Sequence, residues 1–140
     1  MSSINALLSF LPQSAGWLPK WQLFIATVAF FNTIQNFTTL KFTRRVYSKK
    51  VAEVTPLQAR TFGVWTLLSA AVRFYAAYHI HEKSVYDITL ISYLIAFGHI
   101  TSELLIFGSA GIAFPSLSPL IVSSVSLLWM FSQYEFYVNA

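Results

Sequence analysis

The sequence predicts an all-α fold, an integral membrane bundle of four transmembrane helices, and three observations lead there. First, 56% of the 140 residues are hydrophobic and only 10% are charged, with a mean hydropathy of +0.59. A soluble domain averages about 25% charged residues, and a short chain has the most surface to keep wet. Second, four apolar stretches reach the roughly 20 residues needed to cross a hydrocarbon core. Third, Pro and aromatic residues punctuate the ends of those stretches, where helix starts and interfacial anchors belong.

The first 18 residues read as an interfacial lead-in. No basic residue precedes the apolar stretch at 4–11, which stops at Pro12, so a cleaved secretory signal is not expected. Segment one covers about 19–40. Residues 21–40 carry no charge, Pro19 can open a helix, and Trp17, Lys20 and Trp21 stand as anchors. Thr55 and Pro56 start segment two, about 57–79, which is apolar apart from Gln58, Arg60 and Arg73. Segment three, about 86–108, has Asp87 at one end and His99 and Glu103 deeper in. Segment four, about 117–138, follows Pro115 and ends in an aromatic group with Trp129 and Tyr134. A two-span alternative lays segments two and three in the interface, where their charges would be wet. No repeat or linker divides the chain, so a single domain is expected.

Five of the nine basic residues, Lys41, Arg44, Arg45, Lys49 and Lys50, fall in the loop between segments one and two. The positive-inside rule makes that loop cytoplasmic, and with four spans both termini face the lumen or exterior. The same loop is a candidate docking surface for a partner or for anionic headgroups. Nucleic acid is not an expected partner, because the flanks of the cluster are membrane-like.

Charges at depth need partners. If segments two and three form a hairpin centred near 82–83, Arg60 lies within about 3 Å of the level of Glu103, and Arg73 within about 7 Å of Asp87. Pairs Arg60–Glu103 and Arg73–Asp87 are therefore expected; lone charges near the interface, with Arg73 snorkelling to the headgroups, are the alternative. His99 and Glu103 share a helix face at i and i+4, which suits polar contact between helices. Asn32, Gln35 and Asn36 in segment one are amides of the kind that bond across helices or hold a partner.

Catalytic and cofactor chemistry is not expected. There is no Cys, and the other two His, His79 and His81, sit at the far turn from His99, so no metal site is anticipated. No phosphate-binding or nucleophile-elbow motif occurs. Short sterol-contact patterns, such as Lys83–Tyr86–Leu90, also match by chance in so aromatic a chain.

Longer strings carry a resemblance. LPKW at 18–21 and FNTIQ at 31–35 are followed by QARTFGVWTLLS at 58–69 and RFYAAY at 73–78. YD at 86–87, AFGHITSE at 96–103, SP at 118–119 and WM at 129–130 complete the set. From about residue 17 to 138 the chain resembles the ergosterol biosynthetic protein 28 family of the endoplasmic reticulum. The resemblance implies a non-catalytic scaffold that tethers the sterol C-4 methyl oxidase, the C-3 sterol dehydrogenase/decarboxylase and the 3-keto sterol reductase. The sterol C-24 methyltransferase is a further implied contact in fungi. Unlike relatives with a basic retrieval-like tail, this chain ends in EFYVNA. A sterol-binding or lipid-transfer module and a small transporter subunit stand as alternatives to the scaffold, and homo-oligomerisation is open.

Overall fold

A computed structural model describes residues 2–139; Met1 of the lead-in and Ala140 of the C-terminal tail lie outside it. The described residues form α1 (Ser2–Ser9), α2 (Leu18–Thr38), α3 (Lys41–Val46), a 3-10 turn (Val51–Glu53), α4 (Pro56–Tyr78), α5 (Lys83–Leu105), α6 (Phe114–Ser132) and α7 (Tyr134–Val138), with no strand.

The boundaries follow local chemistry. Pro19 sits in the first turn of α2, where a missing N–H costs nothing. The Thr55 hydroxyl accepts from the Gln58 N–H at 3.1 Å and caps α4, with Pro56 at its first position. α5 begins three residues before segment three was expected, because Lys83 and Asp87 form an i,i+4 pair at 2.5 Å that extends its first turn. It ends where Gly108 takes a φ of 65°, which lets the Ser109 and Ala110 N–H groups donate to the Glu103 carbonyl at 3.0 and 3.2 Å. Segment four proves to be two helices. α6 starts at Phe114 and stops at Ser132, and the break at Gln133 lets α7 fold Tyr137 into the core.

α2, α4, α5 and α6 pack as an antiparallel bundle. α4 lies chiefly on α2, and α5 chiefly on α6. α2 closes onto α6 through Trp21 Nε1, which donates to Ser126 Oγ at 2.9 Å, and through Trp21–Trp129 ring contact at 5.9 Å. At one end the first and third loops meet: Lys49 N–H donates to the Ser109 carbonyl at 3.1 Å, and Val46, Tyr47 and Val54 bury against Ile100 and Ala110. At the other end Tyr137 donates to the Ala15 carbonyl at 2.8 Å and Tyr78 to the Phe10 carbonyl at 2.6 Å. These contacts tie the N-terminal segment to α4 and α7.

The bundle buries polar side chains beside its apolar core and is apolar on its outside. Gln22, Thr33 and Asn36 of α2 are buried, whereas Phe24, Phe31 and Ile34 of the same helix are exposed. α4 buries Ser69 and Arg73 and exposes Val64, Leu68 and Phe74. Exposed aliphatic and aromatic residues likewise cover the outer faces of α5 and α6. A soluble monomer rarely shows so much contiguous apolar surface. α5 and α6 are long and apolar enough to cross a membrane, while α2 and α4 match them in length but are less hydrophobic on average. α5, one of the two helices that the two-span alternative laid in the interface, is thus long and apolar enough to cross, and α4, the other, is not among those that are.

Candidate functional site

Two polar assemblies occupy the bundle. The first is a spine through its centre. Tyr93 of α5 donates to Gln22 Oε1 of α2 at 2.6 Å, and Gln22 Nε2 meets Met130 Sδ of α6 at 3.4 Å. Tyr86, fully buried, donates to the Met130 carbonyl at 2.6 Å. The guanidinium of Arg73, only 7% exposed, stacks over the Tyr93 ring at 4.1 Å. A cation on a ring face gains most when both are desolvated. Beside this spine lies a cavity of about 130 Å³ into which Asn32, Arg73 and Ser69 face. Asn32 Oδ1 and Arg73 Nε are buried there without hydrogen-bond partners. Four helices are thus joined by buried polar contacts, each costly to leave unmade.

The second assembly sits where the first loop folds under α5. Tyr47 Oη and His99 Nε2 are 2.8 Å apart, and the imidazole tautomer sets which of them donates. Burial, and after it the charge of Glu103, pushes the Tyr47 phenol above its ordinary value, so it stays protonated. Tyr47, Phe62, Trp65 and His99 form one ring cluster, with neighbouring centroids 5.5–6.0 Å apart. Glu103 accepts from Ser109 Oγ. Lys50 and Glu53, 3.8 Å apart, rim a polar pocket of about 200 Å³ shared with Tyr47, Gln58, His99 and Glu103.

The expected cross-hairpin ion pairs do not form. Arg60 is exposed beside the end of α2, near Thr38 and Thr39, while Glu103 turns toward Ser109. Asp87 is held by Lys83 and by Tyr134, whose hydroxyl donates at 2.7 Å; Arg73 lies on Tyr93 instead. The reason is azimuth. Equal depth on a hairpin brings two side chains together only if both face the seam, and α4 turns its inner face to α2. His99 and Glu103 do share a face, which points at the first loop, and His99 also meets Trp65 of α4. Of the segment-one amides, Asn36 accepts from Thr43 at 2.6 Å, Asn32 faces the central cavity and Gln35 is exposed. Lys41, Arg44, Arg45, Lys49 and Lys50 are all exposed, and of these only Lys50 has an acidic partner among the described residues. Sequence reasoning missed Gln22, Tyr47, Gln58 and Tyr93 as site residues. Gln22 and Gln58 had a signal, since each is an amide inside an otherwise apolar stretch; the tyrosines had none, because aromatics are everywhere in this chain.

Residues 18–128, which carry both assemblies apart from Met130, match the family model described as Erg28 like protein. The chain belongs to the Erg28-like family. Ergosterol biosynthetic protein 28 of Candida albicans is 48% identical over 132 residues, covering 94% of this chain and 96% of that protein. The Saccharomyces cerevisiae protein of the same name is 45% identical over 125 residues, 89% of this chain and 84% of its own length. The mouse homolog is 44% identical over 114 residues, 81% of each chain. No solved structure matches. The Erg28-like match begins at Leu18, so α1 lies outside it, as the resemblance in the sequence implied.

Proposed function

We propose that this member of a sterol-biosynthesis family is a non-catalytic scaffold in the endoplasmic reticulum membrane, crossing it four times. In this reading it gathers the sterol C-4 methyl oxidase, the C-3 sterol dehydrogenase/decarboxylase and the 3-keto sterol reductase, with the sterol C-24 methyltransferase a further contact. The observation that carries it is the apolar outer face of all four long helices, with polar side chains among those they bury. Buried side chains link them, Gln22 with Tyr93, Tyr86 with the Met130 carbonyl and Arg73 with the Tyr93 ring, and their outer faces are aromatic and aliphatic. Such a body offers lipid-facing surface for other membrane proteins to meet. Tethered partners reach effective concentrations of roughly millimolar, which matters when an intermediate stays in the bilayer. The first and third loops, joined at Lys49 and Ser109, form a single platform whose exposed Lys and Arg suit a cytoplasmic docking face.

Affinity purification from mild detergent with mass spectrometry tests the reading. Recovery of the C-4 enzymes supports it; their absence from a well-folded bait counts against it. Neutralising Lys49 and Lys50 should reduce that recovery with topology unchanged. Undiminished recovery removes the loop from the docking face.

A further inference from the structure

The seam between α4 and α5 is open along its length. Beside Trp65 and Ile95 it forms a cleft of about 620 Å³, within the range of about 300–1,000 Å³ usual for small-molecule sites. The same two residues wall a smaller hollow of about 120 Å³ that continues the cleft to Val72 and Ile88. From His99 to Ile88 the furrow runs about 16 Å at the helical rise. Its walls are apolar and it opens on the lipid-facing side, where Leu57 is 66% and Ile95 53% exposed. At the other end Tyr47, Gln58 and His99 line both the cleft and the polar pocket beyond it. There Gln58 Oε1 is buried without a hydrogen-bond partner.

We infer that this furrow binds a sterol, its fused rings along Trp65 and Ile95 and its 3-hydroxyl at Tyr47, Gln58 and His99. Three features favour that ligand over a partner's helix. A groove apolar along its body and polar at one end matches a lipid with a single oxygen at one end. The Gln58 amide oxygen lacks a donor, which a 3-hydroxyl would supply. The Phe62–Trp65–His99 ring cluster is a stiff wall, and a rigid ligand loses least entropy on a preorganised surface. The relatives' printed role in ergosterol biosynthesis places such molecules in the same membrane. The inference goes beyond the scaffold reading: a tether needs no sterol site, and either idea can fail alone.

The test uses the full chain in nanodiscs, irradiated with a photoreactive 3β-hydroxysterol, with labelled peptides read by mass spectrometry. The label should fall on the furrow sides of α4 and α5, and unlabelled ergosterol should compete while its 3-acetate should not. Ile95→Trp, filling the furrow from an exposed position, should abolish that label, while Leu128→Trp on the outer face of α6 should leave it unchanged. Gln58→Leu should weaken sterol competition by about five- to tenfold, the worth of one hydrogen bond. A label spread over all lipid-facing helices, or one indifferent to Ile95→Trp, overturns the proposal. Equal competition by the acetate overturns it too, and this arm needs no variant to fold. Crosslinking of a co-purified protein's helix in the furrow, without sterol label, would assign the seam to a protein partner instead.

Discussion

α4 meets α2 through Ala59, Gly63, Thr66 and Ala70, side chains so small that the two backbones come close along the whole seam. A Cβ on Gly63 would stand 3.0 Å from the Phe37 ring and 3.1 Å from Asn36 Cβ. On its other flank α4 turns Phe62, Trp65, Leu68 and Val72 toward α5, and bulky rings and branched chains hold that helix off. Two hollows, of about 620 and 120 Å³, lie along that flank. One helix therefore makes one closed seam and one open one. Lipid tails are as apolar as Leu, so helices in a bilayer gain by close backbone approach and polar contact rather than by burying large side chains. The closed seam uses both means. The open seam uses neither for most of its length, which leaves room for a guest.

Substitution at Gly63 probes the closed side of this contrast most directly. Gly63→Leu should destabilise the protein by about 1–3 kcal/mol, the usual cost of overpacking, seen as a lower unfolding midpoint in detergent. Gly98→Leu, at an exposed position, is the control, and comparable midpoints for the two variants would mean that the α2–α4 seam is not closely packed at Gly63. Next in size is Tyr93→Phe, which removes the bond to Gln22 and should cost about 1 kcal/mol by the same measurement. Gly98→Ala should raise stability by about 0.5–1 kcal/mol, because this exposed position has room for the methyl and the helix gains from losing a glycine. Smallest of all is the coupling between Arg60 and Glu103. A double-mutant cycle on that pair should return a value within about 0.5 kcal/mol of zero, as for groups that do not touch. A larger coupling would mean that the two face each other across the α4–α5 seam after all.

Much of the site was in the sequence as residue types without partners. Arg73, His99, Glu103 and Asn36 stood out because charges and amides in apolar stretches need an answer. Their partners, Tyr93, Tyr47, Ser109 and Thr43, did not stand out. Hydroxyls are common in this chain, and two of these four lie in loop segments with no apolar periodicity to place them.

The sequence by itself determined the helices. Apolar runs, Pro19, Pro56 and Pro115 at their starts, and Gly108 at an end set four long helices to within three residues, the break of the fourth at Gln133 excepted, since helix formation depends on neighbours in the chain. The same local rules predicted an all-α fold and put the first and third loops on one side. What only the tertiary structure decided was rotation about each helix axis. A charge's depth can be counted along the chain, but its azimuth depends on which neighbour offers small residues to pack against. Because Gly63 and its small neighbours drew α4 onto α2, Arg60 was left outside, Arg73 was turned onto Tyr93, and the seam toward α5 stayed open.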